Sequence, residues 1–66
     1  MFEVIYKDTV LYATNSEKQA RAHIFIEAEK RSMKFFQGIS RYGRIDFLFY
    51  RADDENEFDV YTIIKN

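Results

Sequence analysis

Residues 16–38, SEKQARAHIFIEAEKRSMKFFQG, decide the fold because they hold the longest run of helix-forming residues in the chain. Ser16 followed by Gln19 fits a helix N-cap, and Asn15 is an alternative cap. No glycine or proline interrupts the run before Gly38, which stands where a C-terminal glycine belongs. The pattern therefore predicts one helix that begins at Ser16 and continues to Phe36.

Segments rich in β-branched and aromatic residues lie on both sides of this helix. Residues 2–6 and 10–14 precede it, and residues 44–51 and 58–64 follow it. Residues 39–42 are a candidate for a short additional strand. The order strand, strand, helix, strand, strand predicts an α+β fold, in which one helix packs across an antiparallel sheet of four strands, or of five with the additional one. At 66 residues the chain has room for a single domain.

The register of the first hairpin, at residues 7–9, is open at this stage, because a shift of one residue moves every side chain of a strand to the other face. A three-residue loop places Phe2, Val4 and Tyr6 on one face with Val10 and Tyr12. A two-residue loop places the same three residues with Leu11 and Ala13 instead.

The chain has more apolar residues than one helix on one sheet face needs. If Ile45, Phe47, Phe49, Phe58 and Val60 face the helix, then Leu48, Tyr50, Tyr61 and Ile63 face away from it. On the predicted helix, Phe25, Met33 and Phe36 lie on an arc separate from Ala20, Ile24, Ala28 and Phe35. We expect this second arc, Phe25, Met33 and Phe36, to mediate self-association into a homodimer or larger homo-oligomer; a partner site and ordinary surface are the alternatives.

The residues needed for catalysis are missing or scattered, so we expect a protein that is not an enzyme and has no cofactor. There is no cysteine and no phosphate-binding glycine-rich loop, and His23 is the only histidine. His23 and Glu27 share a helix face but provide only two ligands, so no metal is expected. The acidic run at residues 53–57 is interpreted as a solvated loop, since it lacks the glycine and the spacing of an EF-hand.

Charge is distributed unevenly along the chain although the net charge is only -1. Residues 30–51 hold six basic residues against one acidic residue, and residues 52–66 hold five acidic residues against one basic residue. Tyr42 and Tyr50 alternate with the arginines as possible stacking platforms. The basic strip is therefore a candidate for binding nucleic acid, or for pairing with the acidic loop of its own or a neighbouring subunit.

The small size, the absence of cysteine and proline, and the richness in Phe, Tyr, Ile and Lys make the composition similar to that of small accessory proteins of phages and other mobile elements. This resemblance implies a protein that acts by binding. We expect a cytoplasmic, non-enzymatic binding module with no membrane contact, which masks or inhibits a protein partner. Tyr and Arg dominate binding hot spots, and the candidate contact residues are Arg41, Tyr42, Arg44, Tyr50, Arg51 and Tyr61. The alternative is a regulator that binds nucleic acid through the basic aromatic strip of residues 41–51.

Overall fold

Five antiparallel strands form one sheet, and one helix lies across a single face of it. The computed structural model describes residues 1–51 and 53–66. The elements are β1 (Phe2–Tyr6), β2 (Thr9–Thr14), α1 (Glu17–Lys30), β3 (Met33–Arg41), β4 (Arg44–Arg51) and β5 (Asp54–Lys65). The strand order across the sheet is β2-β1-β5-β4-β3. The predicted α+β fold is confirmed, with the fifth strand present. That strand, β3, is longer than the predicted residues 39–42, and β5 begins at Asp54, within the acidic run that was predicted to be a loop.

The first hairpin turns through two residues, Lys7 and Asp8, which have φ angles of 49° and 63°. Positive φ at both central positions is typical of the tight turns that match the twist of a hairpin. The register then shifts between Val4 and Ile5, so that Leu11 is an extra residue in β2. This bulge lets both Leu11 and Tyr12 pack against the core. Neither predicted register describes the whole hairpin: the two-residue loop is present, but beyond the bulge Tyr12 takes the place opposite Val4 that this loop predicted for Leu11.

Helix α1 begins as predicted and ends six residues earlier than predicted. The Ser16 side chain accepts a hydrogen bond from the Gln19 N–H at 3.2 Å, which confirms the N-cap. The helix ends at Lys30, and Ser32 follows with a φ of 57°, in the left-handed region that stops a helix. The prediction that the helix continues to Phe36 is wrong. Burial of Met33 in the core outweighs the helix propensity of this segment, which forms the first half of β3.

The core lies between α1 and the covered face of the sheet. The helix contributes Ala20, Ile24 and Ala28, and the strands contribute Val4, Met33, Phe47, Phe49, Tyr61 and Ile63. The predicted inward side of β4 is confirmed. For β5 the prediction is wrong: Tyr61 pairs with Phe47 and faces the helix, as does Ile63, while Phe58 and Val60 face away. The reason is that β5 is apolar on both sides, so its register with β4 determines which side is covered.

Candidate binding surface

The sheet face opposite α1 carries a continuous apolar surface, which we call the open face. The strand registers place eight of its side chains there: Ile5, Phe36, Ile39, Leu48, Tyr50, Phe58, Val60 and Ile64. Phe36, Phe58 and Val60 are 54%, 49% and 42% exposed. The contacts of α1 with the strands, including those of Phe25 with the rings of Phe47 and Phe49 in β4, are on the other face. The open face is therefore the main apolar surface of the described chain that no helix covers.

An aromatic cluster lies at one end of the open face. The register between β3 and β4 shifts between Phe35 and Gln37, so that Phe36 is an extra residue in β3. Its ring lies 5.4 Å from the ring of Phe58, although β4 separates the strands that carry them. Tyr50 of β4 pairs with Phe58 in the register and shares the same face. The bulge thus directs Phe36 toward the open face.

A polar group lies nearer the other end, where Arg44, Asp46 and Thr62 form what we call the polar centre. The Thr62 hydroxyl donates to Oδ1 of Asp46 at 2.7 Å, and Nε of Arg44 donates to the same oxygen at 3.1 Å. The Asp46 side chain is 16% exposed, whereas that of Arg44 is 54% exposed. The three side chains help to line a groove of about 590 Å³ together with Val60 and Ile64. Asp46 therefore holds Arg44 in place beside the apolar side chains of Val60 and Ile64.

The predicted contact residues do not form one site. Arg44 and Tyr50 lie on the open face, and Arg41 and the fully exposed Tyr42 lie at the β3–β4 turn beside Arg44. Arg51 lies at the far end of β4. Its Nε and Nη1 atoms are 3.7 Å from carboxylate oxygens of Asp53 and Glu57, respectively. Arg51 thus pairs with the acidic segment of its own chain, as the ion-pairing alternative predicted.

Tyr61 is the one predicted contact residue that lies in the core. Its side chain is 0% exposed, its ring stacks on that of Tyr6 at 4.5 Å, and its hydroxyl accepts a hydrogen bond of 2.6 Å from Nη1 of Arg31. Burial raises the pKa of the Tyr61 hydroxyl, and the positive charge of Arg31 offsets part of this rise. The predicted surface position of Tyr61 is wrong, because β5 turns this residue toward α1.

The predicted self-association residues are on three different parts of the molecule. Met33 is buried in the core. Phe25 lies on the helix, with its ring 5.5 Å from those of Phe35 and Phe49. Phe36 lies on the open face. The arc that was to unite them does not exist because α1 ends before Met33.

Phe58 and Val60 are exposed on the open face, although the sequence pattern predicted that they face the helix. The alternation in β5 gives two apolar sets of equal strength, so no local signal distinguishes the covered side from the open one. The one charged residue that could distinguish the two sides of β5 is Asp59, which alternates with Phe58 and Val60. Its charge does not identify the exposed side, because the strongly apolar Ile63 lies on the same side of the strand as Asp59.

His23 and Glu27, the pair considered above as metal ligands, lie together on α1. His23 stacks on Tyr12 at 4.4 Å, and its Nε2 lies 3.7 Å from Glu27. Among the residues that the structure describes, no group of three or more His, Asp or Glu side chains is placed to hold a metal ion. Within the same residues, no helix is long and apolar enough to cross a membrane.

Comparisons with known proteins provide no relative for this chain. No family model, no curated protein and no solved structure matches it. The function is therefore inferred from the geometry and the chemistry of the open face.

Proposed function

We propose that this chain is a non-enzymatic binding protein that masks or inhibits a protein partner through its open face. The observation that carries the proposal is the continuous apolar surface around Phe36, Phe58 and Val60, which lies beside the fixed Arg44. Large apolar patches with a polar rim mark interaction sites in soluble proteins. Exposed aromatic and arginine side chains are also the residue types that provide most binding energy in protein interfaces.

A protein partner fits the charges of this face better than a nucleic acid does. The groove that Arg44 lines holds three acidic residues against two basic ones, so its net negative charge disfavours phosphate groups; the acidic residues are Asp8, Asp46 and Asp59, and the basic ones are Lys7 and Arg44. The net charge of -1 provides no long-range attraction for a polyanion. The compositional similarity to accessory proteins of phages and mobile elements supports the same mode of action, since stoichiometric binding needs no catalytic residues.

Paired substitutions of exposed apolar residues test this proposal. The partner is first captured from the source cells and identified, and its affinity is then measured by calorimetry with purified proteins. We expect Val60→Asp, on the open face, to weaken binding roughly thirtyfold or more, since truncating a hot-spot residue costs about 2 kcal/mol or more. Ile26→Asp is the matched control, because Ile26 is a β-branched apolar residue that is at least as exposed as Val60 but lies on the outer side of α1.

Both variants need to keep the circular dichroism spectrum of the wild type for this comparison to hold. Equal affinity of Val60→Asp and wild type for the partner would contradict the proposal. Loss of affinity in Ile26→Asp alone would move the contact surface from the sheet to the helix.

A single-stranded nucleic acid is the second candidate ligand, because the open face also carries the features of a stacking platform. Phe36, Tyr50 and Phe58 lie together there, and the strand registers place Lys34 and Arg41 on the same face. Bases stack on such aromatic rings while basic residues contact phosphates. Binding of labelled single-stranded RNA or DNA that weakens steeply with salt and is lost in Phe58→Ser would favour this candidate.

A further inference from the structure

The polar centre of the open face has the chemistry of a carboxylate-binding site. We propose that Arg44 binds the side-chain carboxylate of an aspartate or glutamate in the protein partner, and that apolar side chains of the same partner segment cover Val60 and Ile64. The inference rests on the proposed function and specifies which chemistry the partner presents.

The hydrogen bonds of the polar centre leave part of the Arg44 guanidinium free. A guanidinium has five N–H donors, of which one is at Nε and four are at the two Nη atoms. Asp46 accepts from Nε at 3.1 Å, and it is the only carboxylate within 4.0 Å of Arg44 among the residues that the structure describes. The edge formed by the two Nη atoms matches the spacing of the two oxygens of a carboxylate.

The polar centre also fixes Arg44 before any ligand arrives. Thr62 is buried and donates to the same Asp46 oxygen at 2.7 Å, so the carboxylate that orients Arg44 is itself anchored in the sheet. A long side chain held in this way loses less conformational entropy when it binds. The Arg44 side chain is therefore preorganised for binding, because Asp46 already holds it in one orientation.

The surroundings of Arg44 favour a singly charged carboxylate over a phosphate. Asp46 already balances the positive charge of Arg44, and Asp8 and Asp59 line the same groove. Lys7 is the only other basic residue in the lining of that groove, so two basic residues stand against three acidic ones and the second negative charge of a phosphate is not balanced there. Ile64 lies opposite Arg44 in the register. An acidic residue flanked by apolar residues is therefore the segment that fits.

Two synthetic peptides test the inference without knowledge of the partner. Both are amphipathic helix formers of the same length, with Leu and Phe on one face; one carries a glutamate at the centre of that face, and the other carries glutamine there. Each is titrated into isotope-labelled protein, and NMR follows the Arg44 Nε–H signal and the amides of the open face. The protein is kept at a concentration at which sedimentation shows a monomer. We expect the glutamate peptide to shift both sets of signals. It should bind roughly tenfold or more tightly than the glutamine peptide, because the amide of glutamine cannot form the bidentate ion pair with Arg44.

Variants assign the difference to one side chain. Arg44→Gln should reduce the affinity for the glutamate peptide to that for the glutamine peptide, and Arg44→Lys should recover only part of it because an ammonium is not bidentate. Arg21→Gln is the control, since Arg21 is an arginine of similar exposure that pairs with Glu17 on α1, away from the open face. It should leave the ratio of the two affinities unchanged.

The outcomes separate this inference from the proposed function. If the two peptides bind with equal affinity, carboxylate binding is overturned. If the Val60→Asp variant then binds neither peptide, the open face is still supported as the contact surface. Binding of neither peptide also overturns the inference, and the calorimetric comparison of Val60→Asp with Ile26→Asp then decides the proposed function alone. A preference of Arg44 for inorganic phosphate or single-stranded RNA over the glutamate peptide would overturn the inference as well.

Discussion

Arg31 connects the end of the helix to the sheet through two aromatic residues. Its Nη1 donates to the hydroxyl of the buried Tyr61 at 2.6 Å, and its guanidinium lies 4.3 Å from the centre of the Tyr6 ring. The hydrogen bond satisfies a hydroxyl group that has been removed from water, and the cation–π contact covers the ring next to it. Tyr61 therefore belongs to the structural core, and its hydroxyl depends on an arginine for its partner.

Burial of Tyr61 predicts a loss of stability at alkaline pH. Tyrosine titrates near pH 10 in an unfolded chain, and burial raises the pKa of Tyr61 above that value in the folded chain. Above about pH 10 the unfolded state therefore binds fewer protons than the folded state, so the free energy of unfolding falls as the pH rises. We expect Tyr61→Phe to be less stable than the wild type at neutral pH, and to lose less stability between about pH 9 and about pH 11.

Urea unfolding over this pH range measures the effect. Tyr42→Phe is the matched control, because the Tyr42 side chain is fully exposed in the folded chain, and its curve should follow that of the wild type. If the free energy of unfolding fell equally with pH in Tyr61→Phe and in the wild type, Tyr61 would not be the cause of the alkaline loss of stability.

At the scale of single residues, the sequence predicted which residue types occur on the binding surface better than it predicted which face of the sheet each residue occupies. Arg44 and Tyr50 were selected because arginine and tyrosine dominate binding surfaces, and both lie on the open face. The same reasoning selected Tyr61, which lies in the core. Nothing local distinguishes the two tyrosines, because the position of each depends on the register between β4 and β5. The polar centre was not predicted at all, since Asp46 and Thr62 meet only when those strands pair.

The end of α1 is the element whose position the sequence misjudged most. Residues 31–36 contain no glycine or proline, and the Arg, Met and Lys among them are compatible with a helix. In the structure Arg31 and Ser32 donate to the carbonyls of Ala28 and Glu29 at 3.1 Å, which tightens and closes the last turn. The packing of Met33 then determines that the chain continues as a strand. The start of the helix was predictable because a cap is a local interaction, whereas its end depends on the sheet.

A glycine substitution distinguishes the two positions for the end of the helix. Ser32 has a φ of 57°, which glycine adopts without steric cost, so Ser32→Gly should raise the free energy of unfolding by about 0.5–1 kcal/mol. A helix that continued to Phe36 would instead be weakened by this change. Ala22→Gly, on the exposed side of the helix interior, is the control and should lower stability by about 1 kcal/mol. Urea unfolding of both variants measures these opposite changes in the free energy of unfolding. A loss of stability in Ser32→Gly would contradict the observed helix end.

At the scale of the whole molecule, one helix and five strands leave half of the sheet uncovered. A helix of 14 residues spans about 21 Å, close to the width of about 19 Å that five strands occupy, so α1 can cover one face and no more. The excess of apolar residues was predictable from composition. Its concentration on the open face was not, because both sides of β4 and β5 are apolar. The expected homo-oligomer remains a prediction, but of its predicted contact residues, Phe25, Met33 and Phe36, only Phe36 lies on the open face.

We expect the free chain to self-associate through the open face, since water contact with Phe36, Phe58 and Val60 is unfavourable until another surface covers them. Mass action then requires the melting temperature to rise with protein concentration. Phe36→Ser should remove this dependence, and Ile26→Ser should keep it, because Ile26 is equally exposed but lies on the helix. Sedimentation at a mass of 8.0 kDa, with a melting temperature independent of concentration, would contradict self-association. A partner that occupies the same face must displace the second copy, so its addition should convert the oligomer into a complex that contains one copy of this chain.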